Sequence, residues 1–191
     1  MGKFYHFTFK GCLSAILQEG LKPASQTGNQ NEYLGTQGDP HYIYFWCEEK
    51  IKEIGIFVTL GVNPQITTRN AVLLEVVIDD SLIERDYDQL LYMFNEKGVK
   101  KEDLLKRMTR MAKWWGTEIK NFSEQGIKEA IDIVPEDSWR KKVGSYRTNK
   151  EIVNLKIVPW GNMVPLPFRV IGFFTRPVVW AIVKLYRLLK R

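Results

Sequence analysis

Three features of the sequence carry side chains that could take part in chemistry. His6 lies in an aromatic-rich, strand-like segment two residues before Thr8, Tyr44 lies in a tyrosine-rich segment, and Glu151 opens a later strand-like run. A histidine beside a hydroxyl can fix a ligand by hydrogen bonds, a tyrosine ring can stack on a flat group, and a carboxylate can stabilise positive charge. The sequence has no GxGxxG segment or phosphate-binding loop, and no Ser/His/Asp arrangement can be assembled from it.

The first part of the chain predicts the elements that must position the histidine and the tyrosine. Residues 3–8 alternate aromatic and polar side chains, which predicts a strand, and the apolar spacing from Leu13 onward predicts a short helix that ends at Gly20. The polar residues 24–40 predict a long loop. The aromatic and β-branched run 42–47 then predicts a second strand.

The remainder predicts a mixture of strands and helices. Residues 48–54 predict a short amphipathic helix, ended by Gly55, and the apolar run 71–78 predicts a buried central strand. A helical insertion is expected at residues 86–120. Its apolar positions have helical spacing: Leu104, Met108, Met111 and Trp115. Its basic residues, which either form a solvated face or contact a substrate, are Lys106, Arg107, Arg110 and Lys113.

Two late runs complete a single α+β domain, which we expect at residues 1–166. Residues 127–134 and 151–158 are both strand-like and both end at a proline. Two cysteines and two histidines are too few for a disulfide framework or a spaced zinc site. Because the N-terminus also lacks the pattern of a secretory signal, we expect a cytoplasmic location.

The positive charge of the chain is concentrated at its C-terminal end. The net charge is +6, but residues 156–191 contain seven basic residues and no acidic one, which leaves residues 1–155 at −1. Arginines interrupt the apolar runs of the tail, 167–191, so it does not predict a membrane span. From Pro177 onward the pattern predicts a basic amphipathic helix. Such a helix could bind an anionic membrane surface or a partner, dock on the body, or clamp a nucleic acid.

Several segments resemble the ADP-ribosyltransferase fold family over residues 3–165. The opening motif of that family, a His-x-Thr/Ser strand followed by a helix ending in Gly-Leu-x-Pro, is similar to Tyr5-His6-Phe7-Thr8 with Ile16-Leu17 and Gly20-Leu21-x-Pro23. The second motif is similar to Ile43-Tyr44-Phe45, and the third, a glutamate opening a strand before a proline, is similar to residues 151–159. The resemblance implies a split β-sheet core with short helices.

The resemblance also implies roles for individual residues. The family triad falls on His6, Tyr44 and Glu151, and the activity implied is cleavage of the nicotinamide glycosidic bond of NAD. Glu151 would be catalytic, because a carboxylate stabilises the oxocarbenium-like transition state. Tyr44 would stack on nicotinamide, His6 and Thr8 would fix a ribose, and the backbone of Phe7 would meet the carboxamide. A phenylalanine at that position is similar to DNA-modifying toxins of the DarT type.

Two of these assignments have alternatives. Glu129 also opens a strand-like run that ends at a proline, but the eight residues from Glu151 to its proline fit the family pattern better. Tyr42 and Trp46 share the predicted face of the tyrosine, so either could be the stacking ring.

The function implied is that of an NAD-dependent mono-ADP-ribosyltransferase, of the toxin or defence-effector kind, with NAD as a substrate and no metal. Relatives that modify arginine tend to have a glutamate two residues before the catalytic one, where this chain has Asn149. The acceptor is therefore expected to be a nucleobase, another side chain or a small molecule. The alternative is a catalytically inactive member of the fold, acting as a binding module or a membrane-tethered adaptor.

Overall fold

The computed structural model describes residues 2–28, 32–33, 36–60, 70–95 and 98–164. Over these residues the chain has a mixed α+β fold, as predicted. The strands are β1 Gly2–Phe9, β2 Glu32–Tyr33, β3 Thr36–Gln37, β4 Ile43–Trp46, β5 Ala71–Ile78, β6 Glu84–Arg85, β7 Ser145–Thr148 and β8 Leu155–Val158. The helices are α1 Lys10–Glu19, α2 Ala24–Thr27, α3 Glu48–Leu60, α4 Asp88–Leu91, α5 Lys101–Trp115, α6 Glu124–Asp132 and α7 Glu136–Lys142. The tail at 167–191 lies outside the described residues.

Six of the strands form one antiparallel sheet in the order β6-β7-β4-β1-β5-β8. β1 pairs with β5 along its whole length, from Gly2 opposite Ile78 to Phe9 opposite Ala71. In contrast, β1 meets β4 at a single residue pair, Tyr5 opposite Trp46. The sheet therefore consists of two three-stranded halves that are joined at one point and separate beyond it.

Each face of the sheet packs against its own hydrophobic cluster. The larger cluster joins Phe45 and Val76 of the sheet to the helices between β6 and β7, where Trp115 and Trp139 pack edge to face. The smaller cluster packs Tyr5 and Leu73 of the sheet against Ile51 of α3 and against Trp160. Both clusters include buried aromatic rings, which bury large apolar areas against the sheet.

The structure confirms the predicted strands at β1, β4 and β5 and the predicted helices at α1 and α5. The helix expected to end at Gly55 instead continues to Leu60. A glycine inside a helix costs only about 1 kcal/mol. A Cβ at Gly55 would lie 3.0 Å from Cγ2 of Val164, so this glycine provides room for packing and does not end the helix.

The strand predicted at residues 127–134 is wrong, because residues 127–132 belong to α6 and residues 133–134 follow its end. Its buried residues, with helical spacing, are Ile127, Ala130 and Ile131. The hydroxyl of Ser123 caps the helix by accepting a hydrogen bond from the N–H of Gly126. The helices between β6 and β7 consequently extend to residue 142, past the expected end of the insertion at residue 120.

The strand predicted to open at Glu151 begins later. Regular pairing with β5 covers only Leu155–Val158. Ile152 forms an isolated antiparallel bridge with Leu21, which follows the end of α1. Glu151 therefore lies in the crossover that joins β7 to β8.

Candidate functional site

His6 lies where β1 and β4 separate. Its Nδ1 atom is 2.8 Å from the backbone carbonyl oxygen of Tyr44. A carbonyl oxygen can only accept a hydrogen bond, so Nδ1 carries the proton and the lone pair is on Nε2. Burial lowers the pKa of His6, which favours the neutral ring at pH 7. His6 therefore has an oriented, uncharged ring whose Nε2 can accept a hydrogen bond from a hydroxyl.

Tyr44 does not join His6 on the same face of the sheet. Side chains alternate along a strand, so Tyr44 shares a face with Trp46, whereas His6 packs on the face of Phe45, at 6.1 Å between ring centroids. The imidazole accordingly meets the backbone of Tyr44 and not its phenol. The side chains of His6 and Tyr44, two members of the expected triad, therefore lie on opposite faces of the sheet.

The phenol of Tyr44 is already engaged. Its hydroxyl donates a hydrogen bond to the carboxylate of Asp88, and it lies 3.3 Å from the carbonyl oxygen of Asp39. One side of the ring is covered by Gly38, where a Cβ would come within 2.9 Å of ring atoms. Burial and the neighbouring Asp88 raise the pKa of Tyr44 well above its ordinary value. Tyr44 is thus a neutral hydrogen-bond donor, and Gly38 covers one side of its ring.

Next to Tyr44 is a group of side chains, here called the arginine cluster, of which sequence reasoning singled out only Tyr42. Its members are Arg147, Glu84, Asp88, Tyr42 and Tyr87. Arg147 is only 4% exposed, and its Nε and Nη1 atoms lie 2.8 Å from Glu84 and 3.2 Å from Asp88. Its guanidinium carbon lies 3.9 Å from the ring centroid of Tyr42 and 4.9 Å from that of Tyr87. Two carboxylates and two aromatic rings thus hold the guanidinium of Arg147. The ring of Tyr42 is therefore already in contact with this cation.

A buried carboxylate adjoins the arginine cluster. Asp86 accepts hydrogen bonds from the hydroxyl of Ser145 at 2.6 Å, from the amide of Gln89 at 2.7 Å and from the backbone N–H of Asp88 at 3.0 Å. Burial raises the pKa of Asp86 to about 6, although these donors favour its charged form. Of these donors, Ser145 lies on β7, whereas Asp88 and Gln89 follow β6. The hydrogen bonds of Asp86 therefore hold β7 against the segment after β6.

Glu151 lies beside the glycine that ends α1. Leu21 and Ile152 exchange two backbone hydrogen bonds of 2.7 and 2.9 Å, which bring the crossover onto the end of the helix. Oε1 of Glu151 lies 3.0 Å from the point where a Cβ of Gly20 would stand. Glu151 is exposed, and so is Asn149, two residues earlier in the same crossover. The opening motif and the third motif therefore meet in space.

The other expected site residues are dispersed. Thr8 lies on the same face of β1 as His6, whereas Phe7 lies on the opposite face, 6.5 Å from Trp160 between ring centroids. Glu129 is exposed on α6, where its carboxylate accepts a hydrogen bond from Gln125. The reason for considering Glu129, that it opens a strand, is wrong.

Comparison of the chain with protein-family models, with curated proteins and with solved structures finds no match. Within the described ranges, no three side chains of the types His, Cys, Asp and Glu are grouped so that they could hold a metal ion. No helix in this same part of the chain combines the length and apolar character needed to cross a membrane.

Proposed function

We propose that the protein is an NAD-dependent mono-ADP-ribosyltransferase, a toxin or defence effector that transfers ADP-ribose from NAD to a nucleic-acid, protein or small-molecule acceptor. The observation that carries the proposal is the contact between the two motifs that bear the resemblance. Residues 20–21 and 151–152 are far apart in the sequence, yet two backbone hydrogen bonds and the packing of Glu151 against Gly20 join them. The separation of the two sheet halves beside His6 further supports the proposal.

The chemistry assigns a separate task to each side chain. The neutral Nε2 of His6 accepts a hydrogen bond from a ribose hydroxyl, and the exposed carboxylate of Glu151 stabilises the positive charge that develops on the ribose. The bond between the ribose and nicotinamide breaks with its electron pair leaving on nicotinamide. The acceptor then forms a bond to the same carbon and releases its proton to solvent. Thr8 lies on the His6 face and provides a second hydroxyl near the ribose.

A catalytically inactive binding module of the same fold is the second candidate, because Tyr44 is engaged. Its hydroxyl is held by Asp88 and one side of its ring by Gly38, so stacking on nicotinamide must use the other side or another ring. Tyr42 is already stacked on Arg147. Activity therefore requires an aromatic ring with an uncovered side, on which nicotinamide can stack.

Release of nicotinamide from NAD by the purified protein separates the two candidates. Glu151→Gln should lower this rate by about two orders of magnitude or more, as expected on removing one oriented electrostatic group. Glu129→Gln is the matched control, because it neutralises an exposed glutamate on α6 and should leave the rate unchanged. A wild-type protein that releases no nicotinamide would favour the binding module. A rate unaffected by Glu151→Gln would refute the assigned mechanism.

The acceptor requires a separate experiment. Mass spectrometry of cellular nucleic acid and protein after induction should detect an added ADP-ribose in cells that express the wild type. The Glu151→Gln variant should abolish the modification, and no modified arginine is expected because Asn149 replaces the second glutamate.

A further inference from the structure

A groove of about 530 Å³ lies along the outer side of α5. The helix buries Leu104, Met108, Ala112 and Trp115 on its inner side. The groove on the other side is lined by Leu105, Lys106, Thr109, Arg110, Lys113 and Phe122. Its floor is mostly apolar and three of its six residues are cations, a combination that suits an anionic ligand with flat, apolar parts.

The three cations of the groove form an ordered row. Lys106, Arg110 and Lys113 are exposed and fall on one side of α5, since they are spaced by four and three residues. At about 1.5 Å of rise per residue, the row is about 10 Å long. Stacked nucleotides of one strand repeat at about 3.4 Å, so the row matches about three phosphates.

None of these cations forms an ion pair with any carboxylate of the described residues, not even Lys106 with Glu102 one turn earlier. Three lysines on other helices differ, because each pairs with a glutamate of its own helix: Lys50 with Glu53, Lys52 with Glu48, and Lys128 with Glu124. The positive charge of the groove is therefore available to a ligand.

The charge is also concentrated there. Residues 104–122 contain five basic residues and one acidic residue, a net charge of +4, although residues 1–155 carry −1 overall. A local positive field of this kind attracts polyanions even when the surrounding body is slightly negative.

Two aromatic rings lie beside the cations. Phe122 lines the groove, and Trp114 is 58% exposed one turn after Arg110. An exposed ring next to a basic track, such as that of Trp114, allows an unpaired base to stack while phosphates meet the cations.

We propose that this groove binds single-stranded nucleic acid, with phosphates on Lys106, Arg110 and Lys113 and a base stacked on Trp114. The proposal rests on the α5 surface alone and does not depend on cleavage of NAD.

The test measures binding of fluorescein-labelled 12-nucleotide DNA and RNA single strands to the full-length protein as a function of salt. The combined variant K106Q/R110Q/K113Q should bind at least tenfold more weakly at 0.1 M salt. The slope of log K against log salt should become shallower by about 2, because each phosphate contact contributes about 0.7. The matched control K50Q/K52Q/K128Q removes the same charge from paired lysines and should bind like the wild type. The basic tail is common to all these proteins, so the difference between variants reports on the groove.

Trp114→Ala provides a second measurement. It should weaken binding about fivefold or more while leaving the salt slope unchanged, since stacking carries no charge. Equal binding by the groove variant and its control, with both folded by circular dichroism, would overturn the proposal. Groove-dependent binding to phosphatidylserine vesicles without binding to either oligonucleotide would overturn it too. Nicotinamide release should be unchanged in the groove variant, so this test and that of the proposed function can fail separately.

Discussion

Replacing Gly20 by alanine should destabilise the fold, because this glycine forms the junction between α1 and the crossover. Its φ of 86° and ψ of 167° cost a residue with a side chain about 1–3 kcal/mol. The added Cβ would stand 3.1 Å from the carbonyl oxygen of Ile152 and 3.0 Å from Oε1 of Glu151. Rotation of a side chain cannot relieve the backbone contact. We therefore expect Gly20→Ala to lower the free energy of unfolding by about 2–4 kcal/mol.

Equilibrium unfolding in urea, followed by circular dichroism, measures this change, and Gly11→Ala provides a control in α1. Nothing lies within 4 Å of a Cβ at Gly11, and alanine there should raise the free energy of unfolding by about 0.4–1 kcal/mol. The two substitutions should thus act in opposite directions. A Gly20→Ala protein within about 0.5 kcal/mol of the wild type would refute the junction as described. If the protein cleaves NAD, Gly20→Ala should also slow nicotinamide release below the unfolding transition, since it displaces Glu151.

Two further predictions concern the arginine cluster and the carboxylate beside it. Arg147→Met should lower the free energy of unfolding by about 2–3 kcal/mol in a urea titration. This is less than for a fully buried pair, because Glu84 is 41% exposed. A change below about 0.5 kcal/mol would contradict the ion-pair assignment. Asp86 has a pKa raised to about 6, so its stabilising contribution is complete below the unfolded pKa of 3.8 and is lost as pH rises through 6. Asp86→Asn should remove this dependence, which amounts to about 2–2.5 kcal/mol between pH 4 and 7. Parallel profiles of unfolding free energy against pH for the two proteins would contradict it.

The elements predicted correctly are those whose signals are local. The strand at β1 and the helix that ends at Gly20 follow from a change of apolar period within some twenty residues, and β5 follows from an uninterrupted apolar run. Of these elements, β1 carries His6, and α1 ends beside Glu151. The part of the candidate site nearest the N-terminus was therefore predictable without knowledge of the rest.

The errors arise where one pattern fits two structures. Ile127, Ile131 and Val134 are compatible with a short strand before Pro135, but also with one face of a helix, and the cap at Ser123 together with packing decides for the helix. The strand β7 escaped prediction for a different reason. Its four residues, Ser145–Thr148, include three polar ones, all of them buried, and burial of Arg147 is tolerable only because its partners come from other elements.

Tyr44 illustrates why a site cannot be completed from local patterns. Its position on β4 was predicted, but its state is decided by Asp88, 44 residues later in the chain, and by Arg147 on β7, which holds the same carboxylate. The backbone of Tyr44 orients His6 while its side chain points to the opposite face. One residue thus serves the histidine through its carbonyl and the arginine cluster through its hydroxyl. A change such as Tyr44→Phe would remove only the second of these links and leave His6 in place.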